Sequence, residues 1–71
     1  MLEEPIAGQA RLLRRTITEA DIAVGQLWWR YVSLGGHADQ LEVDAYLHQA
    51  RDLPRHQRQL LDHAARELSP D

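Results

Sequence analysis

The chain contains no cysteine, lysine, asparagine or phenylalanine among its 71 residues. The lack of cysteine excludes a disulfide framework, a thiolate metal site and thiol chemistry. No apolar run reaches the roughly 18 residues that are needed to cross a bilayer. The first five residues include two glutamates and end in proline, unlike the basic start of a signal peptide. These absences predict a cytoplasmic protein without a membrane span.

A surplus of basic residues is also lacking. The chain carries eight arginines against eleven acidic side chains, which gives a formal charge of −3. Proteins that bind nucleic acid usually carry a basic surplus, because phosphate neutralisation supplies much of their affinity. The overall charge therefore argues against nucleic acid as the main partner.

Apolar residues recur at helical spacing along the chain, and no stretch alternates as a strand would. The predicted fold is all-α, with one domain over residues 1–71 built as a small bundle. Three helices are expected over about 19–34, 40–51 and 54–68, and a short N-terminal helix over about 6–15. Because the loops between them are short, consecutive helices are expected to pack as neighbours.

The helix boundaries are predicted from capping residues. Thr18, or alternatively Thr16, would begin the first long helix, and Gly35 would follow its end. Asp39 would cap the next helix. Pro54 would be the first residue of the last helix, where its missing N–H costs nothing.

The N-terminal helix is predicted from a shorter pattern. Ile6, Ala10, Leu13 and Ile17 fall on one face at helical spacing, so they would form the buried side of this helix.

The first long helix is predicted to be apolar on two sides. One side, with Trp28 at its edge, would pack against the other helices, whereas Ile22, Gly25 and Trp29 would lie on the opposite side. A large exposed aromatic surface is unusual in a soluble monomer, and Trp is enriched in interface hot spots. Either the N-terminal segment covers Ile22 and Trp29 within one chain, or a partner covers them.

Size adds to this argument. A domain of this length gains little stability from its own core, and two-fold dimers are the commonest soluble assembly. The sequence therefore predicts a protein-interaction module, with a regulatory role as one form of it, that binds itself or another protein through this face.

Arg11, Arg14 and Arg15 are spaced so that a helix would gather them on one face. Such a patch would suit an acidic protein, a phosphate backbone or an anionic membrane surface. The same pattern is also typical of a solvated helix face.

A second hypothesis comes from the predicted helices over 40–51 and 54–68, which resemble a helix-turn-helix in outline. The start of the second helix carries side chains that contact bases or phosphates in such motifs, namely Arg55, His56, Arg58 and Gln59. The alternative function is therefore a small DNA-associated transcriptional regulator.

Signs of catalysis or of a cofactor are few. The four histidines lack the spacing with which two histidines on one helix bind zinc. There is no glycine-rich phosphate loop, and no pair of carboxylates is fixed on facing walls of a pocket. We expect no enzyme activity, no metal or cofactor, and no small-molecule substrate.

Overall fold

A computed structural model describes the backbone of residues 5–70 and the side chains of residues 8–70. Within this range the chain forms helices and no strand, which confirms the predicted all-α bundle. The helices are α1 (Pro5–Glu19), α2 (Val24–Ser33), α3 (Gln40–Leu47) and α4 (Arg55–Leu68). None of these four helices is long and apolar enough to cross a membrane.

Helix α1 ends in a Schellman motif, in which two backbone N–H groups return to the last helical turn. The N–H of Ile22 donates to the carbonyl oxygen of Ile17 at 2.8 Å, and that of Asp21 donates to Thr18 at 3.1 Å. Asp21 takes the left-handed conformation, with φ at 61°. The predicted helix start at residue 19 is therefore wrong. Thr18 lies in the last turn of α1, where its hydroxyl donates to the Arg14 carbonyl oxygen at 2.8 Å.

The chain thus turns between α1 and α2, where one continuous helix over 19–34 was predicted. Thr16 is not a cap either, because it lies inside α1. Helix α2 begins at Val24, and the N–H of the preceding Ala23 donates to Gln26 Oε1 at 2.9 Å. This bond satisfies a backbone donor at the new helix start, as the glutamine of a capping box does.

The predicted glycine terminator of α2 is confirmed. Gly35 has a φ of 105°, a conformation that favours glycine. The N–H of Gly36 donates to the carbonyl oxygen of Tyr31 at 3.0 Å, which completes a second Schellman motif.

Helix α3 begins as predicted and ends earlier than predicted. Asp39 Oδ1 accepts from the N–H of Glu42 at 2.8 Å, and Glu42 Oε1 accepts from the N–H of Asp39 at 2.9 Å. This capping box fixes the start. The helix ends at Leu47, four residues before the predicted end, because Gln49 turns left-handed at φ 59° and forms a third Schellman motif.

Helix α4 begins at Arg55, one residue after the predicted start, with Pro54 as its cap residue. The N–H of Arg58 donates to the Pro54 carbonyl oxygen at 3.0 Å, so proline supplies the first helical acceptor. The predicted end at Leu68 is confirmed.

The helices that pack on each other are α2 with α4, α2 with α3, α1 with α3, and α1 with α4. Helices α1 and α2 make little direct contact, and the same is true of α3 and α4. The expectation that consecutive helices pack as neighbours is therefore wrong for these two pairs. In both pairs, the connecting turn directs the second helix away from the first, so that it packs on helices that are not its neighbour across that turn.

One apolar core joins all four helices. Its largest fully buried side chains are Tyr31, Tyr46, Leu27, Leu47, Leu61 and Val43. On α1, Ala10, Leu13 and Ile17 are buried as predicted, whereas the side chain of Ile6 lies outside the described residues. The inner side of every helix is thus occupied, and candidate binding surfaces must be sought on the outer sides.

Candidate protein-interaction surface

Trp28 and Trp29 are adjacent in sequence and lie in opposite environments. Trp28 packs against the core, and its indole Nε1 donates to the carbonyl oxygen of Ala38 at 3.0 Å. Trp29 is 66% exposed. The two ring centroids are 6.3 Å apart, with the planes inclined at 54°. The prediction that Trp28 faces the core and that Trp29 lies outside it is confirmed.

Helix α2 is held in this orientation by its inner side. Leu27 and Tyr31 are fully buried. The Tyr31 hydroxyl donates to Gln57 Oε1 on α4 and accepts from the N–H of Ala38 at 2.9 Å. A rotation of α2 that buried Trp29 would break these bonds and expose core residues, so the exposure of Trp29 is built into the fold.

The α2 residues around Trp29 are uncharged. Gln26 and Ser33 are exposed and Gly25 is partly exposed. We call Gly25, Gln26, Trp29 and Ser33 the Trp29 surface. The sole charged residue of α2, Arg30, turns towards α4, where its Nε donates to a glutamate at 2.6 Å. A neutral aromatic surface suits burial against protein and offers little to phosphate or metal ions.

Ile22 does not belong to this surface, which corrects the predicted interface of Ile22, Gly25 and Trp29. That prediction assumed one continuous helix, but the chain turns before α2 and buries Ile22 to 9% exposure. Gly25 keeps its predicted place beside Trp29. A Cβ there would lie 3.7 Å from Gln40 Nε2, which is ordinary contact. Within residues 8–70 the chain covers Ile22 and leaves Trp29 open.

The three arginines of the predicted basic patch, Arg11, Arg14 and Arg15, are exposed on the outer side of α1. Arg15 lies 3.5 Å from Glu19, and both side chains are 71% exposed, so this ion pair contributes less than about 1 kcal/mol. Leu12, which is 60% exposed, lies beside these arginines. The patch therefore combines positive charge with one large apolar side chain.

The predicted DNA-contacting residues lie at the start of α4: Arg55, His56, Arg58 and Gln59. Arg58 points along the fold, where its Nε donates to Gln9 Oε1 at 2.8 Å and its Nη1 donates to the Leu53 carbonyl oxygen at 2.7 Å. Seven residues separate α3 from α4, and the two helices do not pack as a hairpin. A helix-turn-helix needs a turn of about three to four residues, so the predicted outline of that motif is wrong.

Burial shifts two titratable groups that lie close to each other. It raises the pKa of Tyr46 to about 12, and the nearby carboxylate of Asp62 adds to this effect. Burial also raises the pKa of Asp62, against the opposing charges of Arg66 and Arg58. Among the side chains that the structure describes, no group of three histidines or carboxylates is arranged to hold a metal ion.

Leu41 is an exposed apolar residue that was not predicted from the sequence. It is 78% exposed on α3 and lines a shallow groove with Val24, Gln40 and Asp44. The signal was present, because Leu41 lies opposite the buried face of α3 at helical spacing.

Comparison of the chain with models of protein families, with curated proteins and with solved structures finds no match.

Proposed function

We propose that this chain is a small protein-interaction module that acts in the cytoplasm and binds a second copy of itself through the Trp29 surface. The observation that supports the proposal is the 66% exposure of Trp29 on a helix whose orientation is fixed by buried contacts. The role is one of binding without catalysis. Such a module would have a regulatory function if its self-association controlled the binding of another partner.

The energetics favour association. Burying the exposed part of an indole ring contributes on the order of 2 kcal/mol per subunit. A two-fold dimer would bury both Trp29 rings in one interface. Gly25 and Ser33 are small, so a second helix can approach α2 closely beside the ring.

Charge explains why a second copy is the preferred occupant. The chain carries a net charge of −3, so two copies repel each other at long range and associate most readily where no like charges meet. The Trp29 surface is neutral, and bringing two copies of it together places no like charges in direct contact.

The proposal is tested by sedimentation equilibrium from low micromolar to near-millimolar concentration, in high salt so that charged contacts are screened. We expect the wild-type mass to rise from 8.2 kDa towards twice that value. Trp29→Ser should associate much more weakly than the wild type, with an unchanged melting temperature at the lowest concentration. Trp28→Ala should lower the melting temperature and still associate. A wild-type chain that stays monomeric throughout, or a Trp29→Ser chain that dimerises normally, would contradict the proposal.

Gly25→Ala is a sharper variant of the same test. The structure accommodates a Cβ at this position, and alanine favours helix over glycine by about 1 kcal/mol. We expect the single chain to become more stable and the dimer to become weaker. A general loss of folding would lower both quantities, so their opposite response identifies an effect on the interface.

A further inference from the structure

The charges of the chain are unevenly distributed among its helices and connecting segments. Helices α1 and α4 carry six of the eight arginines and three carboxylates, whereas residues 20–54 carry two arginines and five carboxylates. Those two arginines, Arg30 and Arg51, are both ion-paired, with Glu67 and Glu42. Helices α1 and α4 are therefore basic, and the carboxylates of residues 20–54 lie on α3 and in the segments that connect the helices.

A shallow groove of about 390 Å³ lies between α1 and α4. Residues of both helices line it, among them Leu12, Leu13, Asp62 and Arg66, and we call it the α1–α4 groove. Leu12 lies at its edge and is 60% exposed, and the surface continues from Leu12 to Arg11 and Arg15. The groove thus has an apolar floor and one arginine, Arg66, and Arg11 and Arg15 lie beyond Leu12 on the outer side of α1.

Helix α3 carries a matching feature. Leu41 is 78% exposed on α3, which contains the carboxylates of Glu42 and Asp44 and no arginine. Asp39 lies directly before the helix as its cap. We call Leu41 with Asp44 the Leu41 edge.

We propose that the α1–α4 groove of one copy binds the Leu41 edge of a second copy. Leu41 would be buried against Leu12, and Asp44 would face Arg11 and Arg15. Each surface carries an exposed leucine, and the charged side chains around the two leucines are of opposite sign. Apolar burial and charge complementarity are the two properties that favour a contact between protein surfaces. The contact uses two different surfaces, so it is heterologous, and it includes none of the four residues of the Trp29 surface.

An acidic helix fits the groove better than a phosphate backbone does. The exposed Leu12 gains nothing from a phosphate and is covered by an apolar side chain of the second copy.

A charge exchange between the two surfaces tests the proposal, with every variant made in the Trp29→Ser background to remove the first contact. The groove variant is Arg11→Glu with Arg15→Glu, and the edge variant is Asp44→Arg. In low salt the parent should associate, and each variant alone should associate at least roughly tenfold more weakly. An equal mixture of the two variants should recover association, because each groove then meets an edge of opposite charge.

Salt and an apolar substitution separate the two components of this contact. High salt should weaken the parent contact roughly tenfold, and Leu41→Ser should weaken it at any salt concentration. Circular dichroism should show unchanged helix content in all variants, since these side chains lie outside the buried core. If the groove variant unfolds, Arg11→Gln with Arg15→Gln replaces it.

A parent that stays monomeric in low salt would overturn the proposal, and so would a mixture that fails to recover. Binding of a labelled DNA duplex that the groove variant loses, without recovery in the mixture, would overturn it in favour of phosphate recognition. Because Trp29 is replaced in all of these proteins, failure here leaves the proposed dimer unaffected.

Discussion

The ring of Tyr31 fills the space into which a side chain at Gly36 would project. A Cβ on Gly36 would overlap three carbon atoms of this ring. The loop after α2 therefore packs directly on the helix that it leaves. This contact places the Tyr31 hydroxyl where it reaches both Gln57 on α4 and the backbone of Ala38.

Gly36→Ala is expected to destabilise the fold by about 1–3 kcal/mol, because the ring or the loop must shift to admit the methyl group. Gly8→Ala is the matched control, since a Cβ at this exposed position of α1 meets nothing within 4 Å. That variant should gain up to about 1 kcal/mol from helix propensity. Thermal unfolding followed by circular dichroism measures both, and a similar change in the two variants would contradict the close packing of Gly36 on Tyr31.

The two buried tyrosines are expected to respond differently to loss of the hydroxyl group. Tyr31→Phe leaves the N–H of Ala38 without its acceptor and should cost about 1–3 kcal/mol. Tyr46 is equally buried, but its hydroxyl forms no hydrogen bond to another residue of the described part. Tyr46→Phe should therefore stay within about 0.5 kcal/mol of the wild type in urea unfolding. An equal loss in both variants would show that the Tyr31 bonds carry no net stability.

Gln49→Gly is expected to stabilise the protein. Gln49 has a φ of 59°, a conformation that costs a residue with a side chain roughly 1–2 kcal/mol. Glycine removes this cost but loses more chain entropy on folding, so the net gain should be a few tenths to about 1 kcal/mol. Ala50→Gly, one residue later and without a left-handed φ, should lose stability. The midpoints of denaturant unfolding, compared between variants whose unfolding free energy depends equally on denaturant concentration, show which variant gains stability and which loses it.

Asp62 and Glu67 are expected to give opposite pH dependences. Burial raises the pKa of Asp62, so its contribution to stability is full below its ordinary pKa of 3.8 and is lost as the pH rises through the raised value. Asp62→Asn should therefore be more stable than the wild type at neutral pH and lose this advantage in acid.

The hydrogen bond from Arg30 lowers the pKa of Glu67, so the contribution of Glu67 to stability is present above its ordinary pKa of 4.5 and is lost as the pH falls. Glu67→Gln should be less stable than the wild type at neutral pH and equally stable in acid. Melting temperatures of both variants and the wild type, measured from acidic to neutral pH, test the two predictions.

Helical periodicity and glycine were sufficient to predict the middle of the chain. Gly35 follows an apolar helical pattern and therefore marks the end of a helix. Asp39 is followed three residues later by a glutamate, the spacing of a capping box. The different environments of Trp28 and Trp29 were predictable for a similar reason, because successive residues of a helix point about 100° apart.

The break between α1 and α2 was not predictable from local sequence. Thr18 and Asp21 suit the start of a helix, and aspartate also tolerates the left-handed conformation that ends one. The burial of Ile22 in the core decides between the two, and that is a tertiary contact. The α1–α4 groove depends on tertiary structure in the same way, since local periodicity carries no information about which distant helices pack together.

The packing order also determines how the chain can reach this structure. Among consecutive helices only α2 and α3 pack on each other, and the bonds of Tyr31 and Trp28 to Ala38 close the short loop between them. Closing a short loop costs less chain entropy than closing a long one, so we expect this hairpin to form first. Helices α1 and α4 can join only through contacts between distant parts of the sequence, and they also pack on each other. We therefore expect the slow step of folding to be the meeting of the two outer helices over the hairpin, so that the folding rate depends on that search more than on helix formation.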